Sequence, residues 1–302
     1  MIIVKMMGGL GNQMFQWALG RTLALKNSSE FKIDVYFLIE RQPRKNFTIR
    51  TYDLDIFNLN AEFATKNEIA KYPIPMFGKF GVILVHLKQM WRRRINTNGY
   101  NYLIQTRFDY DEQIDNAPVN SYLEGYFQTE RYFKPYEDII RKDFEFRDQL
   151  SGKTFEMSQL IKEKQSVAVH IRRGDYVSNA KANKTHGVLG KEYYDKAMET
   201  IASKVESPHY FIFSDDNEWC RDNFAFGENM TIIEDDIKGN KFQFSLNLMS
   251  QCKHAIIANS SFSWWGAWLS TNPDKIVIGP QNWFRNPNLN TKDIMPESWL
   301  KI

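Results

Sequence analysis

From about residue 165 onward the chain repeats one pattern, a short apolar run followed by a longer amphipathic stretch. The apolar runs are Val167–Ile171, Tyr210–Phe213, Thr231–Ile233, Ala255–Ala258 and Lys275–Ile278, with helical segments near 191–205, 216–224, 240–251 and 262–270. Runs without polar alternation read as strands buried on both faces, and helices of this length between them carry the chain to a parallel neighbour. The expected fold is therefore α/β, a doubly wound parallel sheet. Three of the strands end in polar clusters: His170 to Tyr176 (HIRRGDY), Phe213 to Asp216 (FSDD) and Ala258 to Trp268 (ANSSFSWWGAW). Ligands of open α/β sheets sit beyond the carboxyl ends of the strands, so three clusters at one edge predict a binding crevice.

The amino-terminal part opens with a strand, Ile2 to Met7, the turn Gly8-Gly9-Leu10-Gly11, and a helix from about Asn12 to Lys26 with apolar residues three to four apart. Strand, glycine turn and helix form the start of a βα unit. The turn lacks the full GxGxxG pattern, and the next strand, Phe31 to Phe37, is not followed by a clear ribose-binding acid, which argues against a nicotinamide or flavin. Residues 40–120 show no sustained period and contain Pro43, Pro73, Pro75 and Pro118; they read as a helix or two, loops and an insertion. From Tyr122 a strand is expected to end near Gln128, and a helix to run from about Glu130 to Asp143. The polar stretch FRDQLSGK then marks a change of domain, taken as 1–150 and 151–302.

At 302 residues, 43% hydrophobic and 15% aromatic, the chain is long enough for two domains with real cores. Its two cysteines, Cys220 and Cys252, cannot form a disulfide framework and have no zinc-like spacing, so a reducing, cytoplasmic setting fits. No signal peptide opens the chain, and the longest apolar run, Phe80 to Leu87, is far short of the roughly 20 residues that span a bilayer. Residues 1–95 hold 15 Lys and Arg against 7 Asp and Glu, a balance of +8; the total of +3 leaves −5 for the rest. The basic run Trp91 to Arg94 reads as the solvated end of a helix or an interdomain contact, with an anionic membrane face as the alternative.

The clusters suggest an anionic ligand. Arg172 and Arg173 at a strand end present paired guanidiniums suited to phosphate oxygens, against the plainer reading of a solvated Arg–Asp loop. Asn259, Ser260 and Ser261 precede a helix beginning near Phe262 or Ser263, and a helix start offers free N–H groups and a positive dipole end to an anion; simple capping by Ser261 or Ser263 is the alternative. Phe262 can stack on a base or sugar, while Trp264, Trp265 and Trp268 fit core packing better. Asp215 or Asp216 can accept hydrogen bonds from a nucleobase or ribose, or one of them caps the next helix. The acid pairs Asp53/Asp55 and Asp109/Asp111 do not follow clean buried strands, so no metal is expected. A nucleophile elbow and a P-loop are both missing.

GGLGNQMFQWALGRTLA near the start, LEGYFQTERYF at 123–133, VHIRRGDYV at 169–177, FSDD at 213–216 and ANSSFSWWGAWL at 258–269 together resemble the α-1,2-fucosyltransferases. The matches span almost the whole chain in the family's order. The resemblance implies a GT-B enzyme, two Rossmann-like domains facing a cleft, with an acceptor-side domain at 1–150 and a GDP-fucose-binding domain at 151–302. It implies inverting, metal-free transfer of L-fucose from GDP-fucose to a β-galactoside, with no cofactor and no nucleic acid, by a bacterial member of the family that lacks a membrane anchor. Arg172 then matches the arginine on the donor's β-phosphate, with Arg173 beside it, Asn259, Ser260, Ser261, Phe262 and Ser263 as the donor loop, and Asp215 as the base or ribose partner. Gly9, Gly11, Asn12 and Gln13 match a loop that closes over the donor. The general base is left open among Asp175, His170 and acids of the amino-terminal domain. Lipid-linked or O-antigen glycans are the expected acceptors, their recognition falling to 40–120. Rival readings are a fucosyltransferase of other linkage, α-1,6 or protein O-linked, and a sugar-binding module without catalysis.

Overall fold

The computed structural model describes residues 1–40, 50–74, 94–224 and 227–302, so Phe80 to Leu87 and most of the basic run at 91–94 lie outside the described residues. The chain forms two α/β units: Met1–Glu145 with Lys292–Ile294, and Phe146–Thr291 with Met295–Ile302. Beside the sequence boundary at 150, the division falls at 145, and a short segment near the carboxyl terminus belongs to the first unit.

The first unit holds β1 (Ile2–Lys5), β2 (Phe31–Asp34), β3 (Arg94–Thr97), β4 (Tyr100–Ile104) and β5 (Ser121–Glu124) in the order β2-β1-β5-β4-β3. All neighbours are parallel except β3 and β4, an antiparallel hairpin. Its turn is Asn98-Gly99 with φ of 51° and 78°, the backbone that a two-residue hairpin needs. The helix Leu10–Lys26 crosses from β1 to β2 and buries nearly its whole length. β2 stops at Asp34, short of the expected Phe37, because Asp34 Oδ1 accepts from the Tyr36 N–H (2.9 Å) and turns the chain into a short helix, Tyr36–Ile39. The helix expected from Glu130 to Asp143 is broken into two 3-10 turns and the helix Glu137–Asp143, with Pro135 inside the second turn.

The second unit holds β6 (Gln165–Ile171), β7 (Pro208–Ser214), β8 (Met230–Ile232), β9 (His254–Ile256), β10 (Val277–Gly279) and β11 (Leu300–Lys301), all parallel, in the order β11-β10-β9-β6-β7-β8. Val167, Val169 and Ile171 of β6 pack with Tyr210 and Ile212 of β7 against Tyr194, Ala197 and Ile201 of the helix Lys191–Ala202. Alternation along the strand turns Ala168 and His170 to the other face. The helix Gln243–Gln251 packs on the helices Gly152–Glu163 and Ser261–Leu269. As expected, Trp264, Trp265 and Trp268 are core residues, at most 3% exposed. The α/β fold with parallel sheets is thus what the sequence pattern implied.

The strand order decides where a ligand can bind. From β6 the chain winds outward to β7 and β8, then returns through β9 on the opposite side of β6 and continues to β10 and β11. The winding reverses between β6 and β9, and at such a reversal the flanking loops part to leave a crevice.

Candidate active site

All three polar clusters of the second unit stand at that crevice. β9, β6 and β7 are adjacent and parallel, so NSSF, RRGD and SDD leave the same edge of the sheet side by side.

The two arginines and two aspartates form one clamp. Arg172 Nη1 lies 2.7 Å from Asp215 Oδ2, and Asp215 Oδ1 accepts from the Arg173 N–H at 2.8 Å. Arg173 Nε donates to Asp216 Oδ2 at 3.0 Å, and its guanidinium sits 4.2 Å from the centre of the Trp219 ring. Asp216 Oδ1 accepts from the Trp219 N–H and so caps the helix Asn217–Asn223. Asp216 is therefore the capping acid of the pair. Gly174 is required by this packing, since a Cβ there would lie 2.5 Å from Asp215 Oδ2. Arg173 is held on both sides, and Asp215 turns both oxygens toward the arginine loop. Arg172 pairs with Asp215 through Nη1, lies 5.6 Å from the centre of the Tyr176 ring and is about a quarter exposed, so the clamp sets a guanidinium, a group suited to phosphate oxygens, at this edge.

Beneath the clamp lies Lys238, which no motif in the sequence marked. It is buried, and its Nζ donates to the Ser214 carbonyl, to Asn217 Oδ1 and to Asp235 Oδ1. A buried ammonium with three oxygen partners fixes the end of β7, from which Asp215 departs. Only its three-dimensional partners identify it, because a lone lysine in a loop carries no one-dimensional signal.

His170, one residue before the end of β6, lies against Phe262, their ring centres 5.6 Å apart. Burial first, and then the charges of Arg172 and Lys238, push its pKa down to about 3. The imidazole is neutral at physiological pH, and its low basicity makes it a poor general base. Gly174–Ser178 is helical and contains Asp175, but the side chain of Asp175 lies outside what the structure describes.

The donor-loop candidates divide by exposure. Asn259 is buried; its Nδ2 donates to the carbonyls of His186 and Trp283, and its own carbonyl accepts from the Tyr176 hydroxyl. Ser263 is fully buried and donates to the Ala258 and Ser260 carbonyls. These two shape the loop. Ser260, Ser261 and Phe262 remain partly exposed at the start of the helix Ser261–Leu269, whose first N–H groups have no intrahelical acceptor. Phe262 also meets Phe242, which is 45% exposed in a left-handed conformation (φ 58°).

Gly9, Gly11, Asn12 and Gln13 belong to the first unit, where Gly9 caps the helix Leu10–Lys26. Gln13 is fully buried and its amide is committed there: Nε2 donates to the Gly8 and Thr51 carbonyls, and Oε1 accepts from the Asp53 N–H. Asn12 Oδ1 accepts from Gln128 Nε2 at 2.7 Å. The acid pairs take local roles, Asp53 accepting from the Thr51 hydroxyl and Asp111 from the Gln113 N–H. Among the described residues no three His, Cys, Asp or Glu side chains come together as a metal site. None of the described helices is long and apolar enough to cross a membrane.

This edge sets cationic side chains and a helix start at a switch point, an arrangement able to hold an anion. The model of glycosyl transferase family 11 matches residues 1–302. The chain belongs to that family and is a glycosyltransferase. It is 35% identical over its full length, and 98% of the relative's, to an alpha-1,2-colitosyltransferase of Escherichia coli. Identity is 32% to the O-antigen biosynthesis glycosyltransferase WbnK of Escherichia coli, over 98% of both chains. Among solved structures, NodZ alpha-1,6-fucosyltransferase soaked with GDP-fucose aligns over 89% of this chain and 92% of its own, at 12% identity and a TM-score of 0.47.

Proposed function

We propose that the protein transfers L-fucose from GDP-fucose to the 2-hydroxyl of a β-galactoside, with inversion and without a metal. The observation that carries this reading is the clamp at the β6–β9 reversal. Arg172, oriented by Asp215, faces the leaving diphosphate, and the start of the helix Ser261–Leu269 offers it further N–H donors. Charge develops on that diphosphate as the glycosidic bond breaks, and donors already in place stabilise it without reorganising. Arg173, Asp216 and Lys238 keep the clamp in register, while Phe262 and Phe242 offer aromatic surface to the base. The α-1,2 linkage agrees with the colitosyltransferase relative, and an O-antigen acceptor with WbnK.

The relatives' names leave colitose as the competing sugar. Incubation with GDP-fucose or GDP-colitose and lactose, with and without EDTA, decides among the readings. GDP release with GDP-fucose, an α-1,2-linked product by NMR and indifference to EDTA are expected. Turnover of GDP-colitose alone would reassign the donor, chelator-sensitive release would overturn the metal-free mechanism, and no release with any β-galactoside would overturn the acceptor.

A further inference from the structure

The carboxyl edge of the first unit's sheet contains two buried polar groups that the proposed donor site does not use. Gln105 follows β4, and its Oε1 accepts from the N–H groups of Tyr126 (2.8 Å) and Phe127 (2.9 Å). Two converging donors require the oxygen there, so the nitrogen is left over. Gln105 Nε2 is buried with no hydrogen-bond partner among the described residues. Gln128, beyond β5 in the same turn, is 7% exposed, and its Nε2 donates to Asn12. Its Oε1 is also buried and has no hydrogen-bond partner among the described residues. Whichever end of that amide faces Asn12, one polar atom remains open.

The turn is also conformationally forced. Phe127 is fully buried at φ 54°, a region that aromatic residues rarely enter, and the two bonds to Gln105 hold it there. In this sheet the strand order changes direction between β1 and β5, and Asn12 and Gln128 follow those two strands. Buried polar groups in native proteins are nearly always satisfied, so a donor and an acceptor left open in one turn call for a partner. A hydroxyl donates once and accepts through two lone pairs, which suits both, and the amides carry no charge to attract an ion. A hydroxyl-rich molecule fits, and a sugar is the common one.

We infer that the Gln105–Gln128 turn is a subsite for hydroxyls of the glycan acceptor. This rests on the glycosyl-transfer reading above. The test compares the parent with Gln128→Leu and Gln105→Glu, the second keeping the oxygen for Tyr126 and Phe127 while removing the nitrogen. GDP binding is followed by calorimetry, and binding of lactose and of methyl glycosides of galactose, glucose and N-acetylhexosamines by ligand-observed NMR. The expected result is about tenfold weaker sugar binding in both variants with GDP binding unchanged; the buried carboxylate of Gln105→Glu and the lost Asn12 bond of Gln128→Leu lower the thermal midpoint while the chain stays folded at the assay temperature. If Gln128→Leu does not fold, Gln105→Glu decides alone. Unchanged sugar binding in Gln105→Glu would mean that water fills the turn, and parallel losses of sugar binding, GDP binding and stability would mean a structural role; either overturns the subsite. A parent that binds GDP but none of the sugars overturns it too. A parent that binds a sugar through this turn but no GDP would instead overturn the donor reading.

Discussion

Arg172 and Arg173 are adjacent in sequence, yet the structure gives them different work. Arg173 is locked between Asp216 and Trp219, whereas Arg172 pairs with Asp215, beside the Tyr176 ring. Arg172→Ala is expected to lower kcat by about a hundredfold or more, as loss of one preorganised donor to developing charge does. Activity within about tenfold of the parent would remove Arg172 from the diphosphate. His170 makes a separate prediction about pH. A histidine whose pKa falls from 6.5 to about 3 on folding binds its proton only in the unfolded chain between those values. Its contribution to stability is full above pH 6.5 and is lost as pH falls toward 3, with a slope of at most about 1.4 kcal/mol per unit. His209 and His254 are also lowered and add to the same trend. The parent should therefore lose stability from pH 6.5 to 5 more steeply than His170→Gln; equal slopes in denaturant titrations would disprove the linkage. Residue types at strand ends were legible in the sequence, but the direction of their hydrogen bonds was not. GGLGNQ announces a glycine turn and a helix, yet gives no sign that Gln13 is tied to residues near 51–53.

At the scale of elements, strands and helices of the second unit were legible because burial on both faces leaves continuous apolar runs. The β3–β4 hairpin was not, although Asn98-Gly99 is a known hairpin signal, because its strands are short and follow a stretch without a period. The contact between helix and sheet in the first unit is also invisible in one dimension. A Cβ on Gly20, in the middle of the helix Leu10–Lys26, would lie 2.2 Å from the Phe31 ring and 2.8 Å from a Val4 methyl. Alanine would gain up to about 1 kcal/mol in helix propensity but must displace a buried helix from its sheet, an overpacking cost of about 1–3 kcal/mol. Gly20→Ala is thus expected to be net destabilising in a urea titration, and a more stable variant would show that the helix can shift freely.

At the scale of the molecule, two βα units were legible, but the return of Lys292–Ile294 to the first was not, because no composition change marks it. Asp293 explains the return: it accepts from the Tyr110 N–H and pairs with Arg131, bonds between residues more than 160 positions apart. Each unit carries its own carboxyl edge, and the proposed donor groups Arg172, Asp215 and Ser260 to Phe262 all belong to the second. A ligand that binds only the folded chain stabilises it by mass action, by about 2.7 kcal/mol at a hundred times its Kd. GDP should therefore raise the unfolding midpoint of the parent and much less that of Arg172→Ala at the same concentration. Hydrogen exchange locates the effect. Protection by GDP is expected in the segments after β6, β7 and β9, near 171–176, 214–217 and 258–263, because those amides surround the proposed anion site. Protection centred on other strands, or an equal shift in Arg172→Ala, would place the diphosphate elsewhere and leave the RRGD–SDD clamp a structural one.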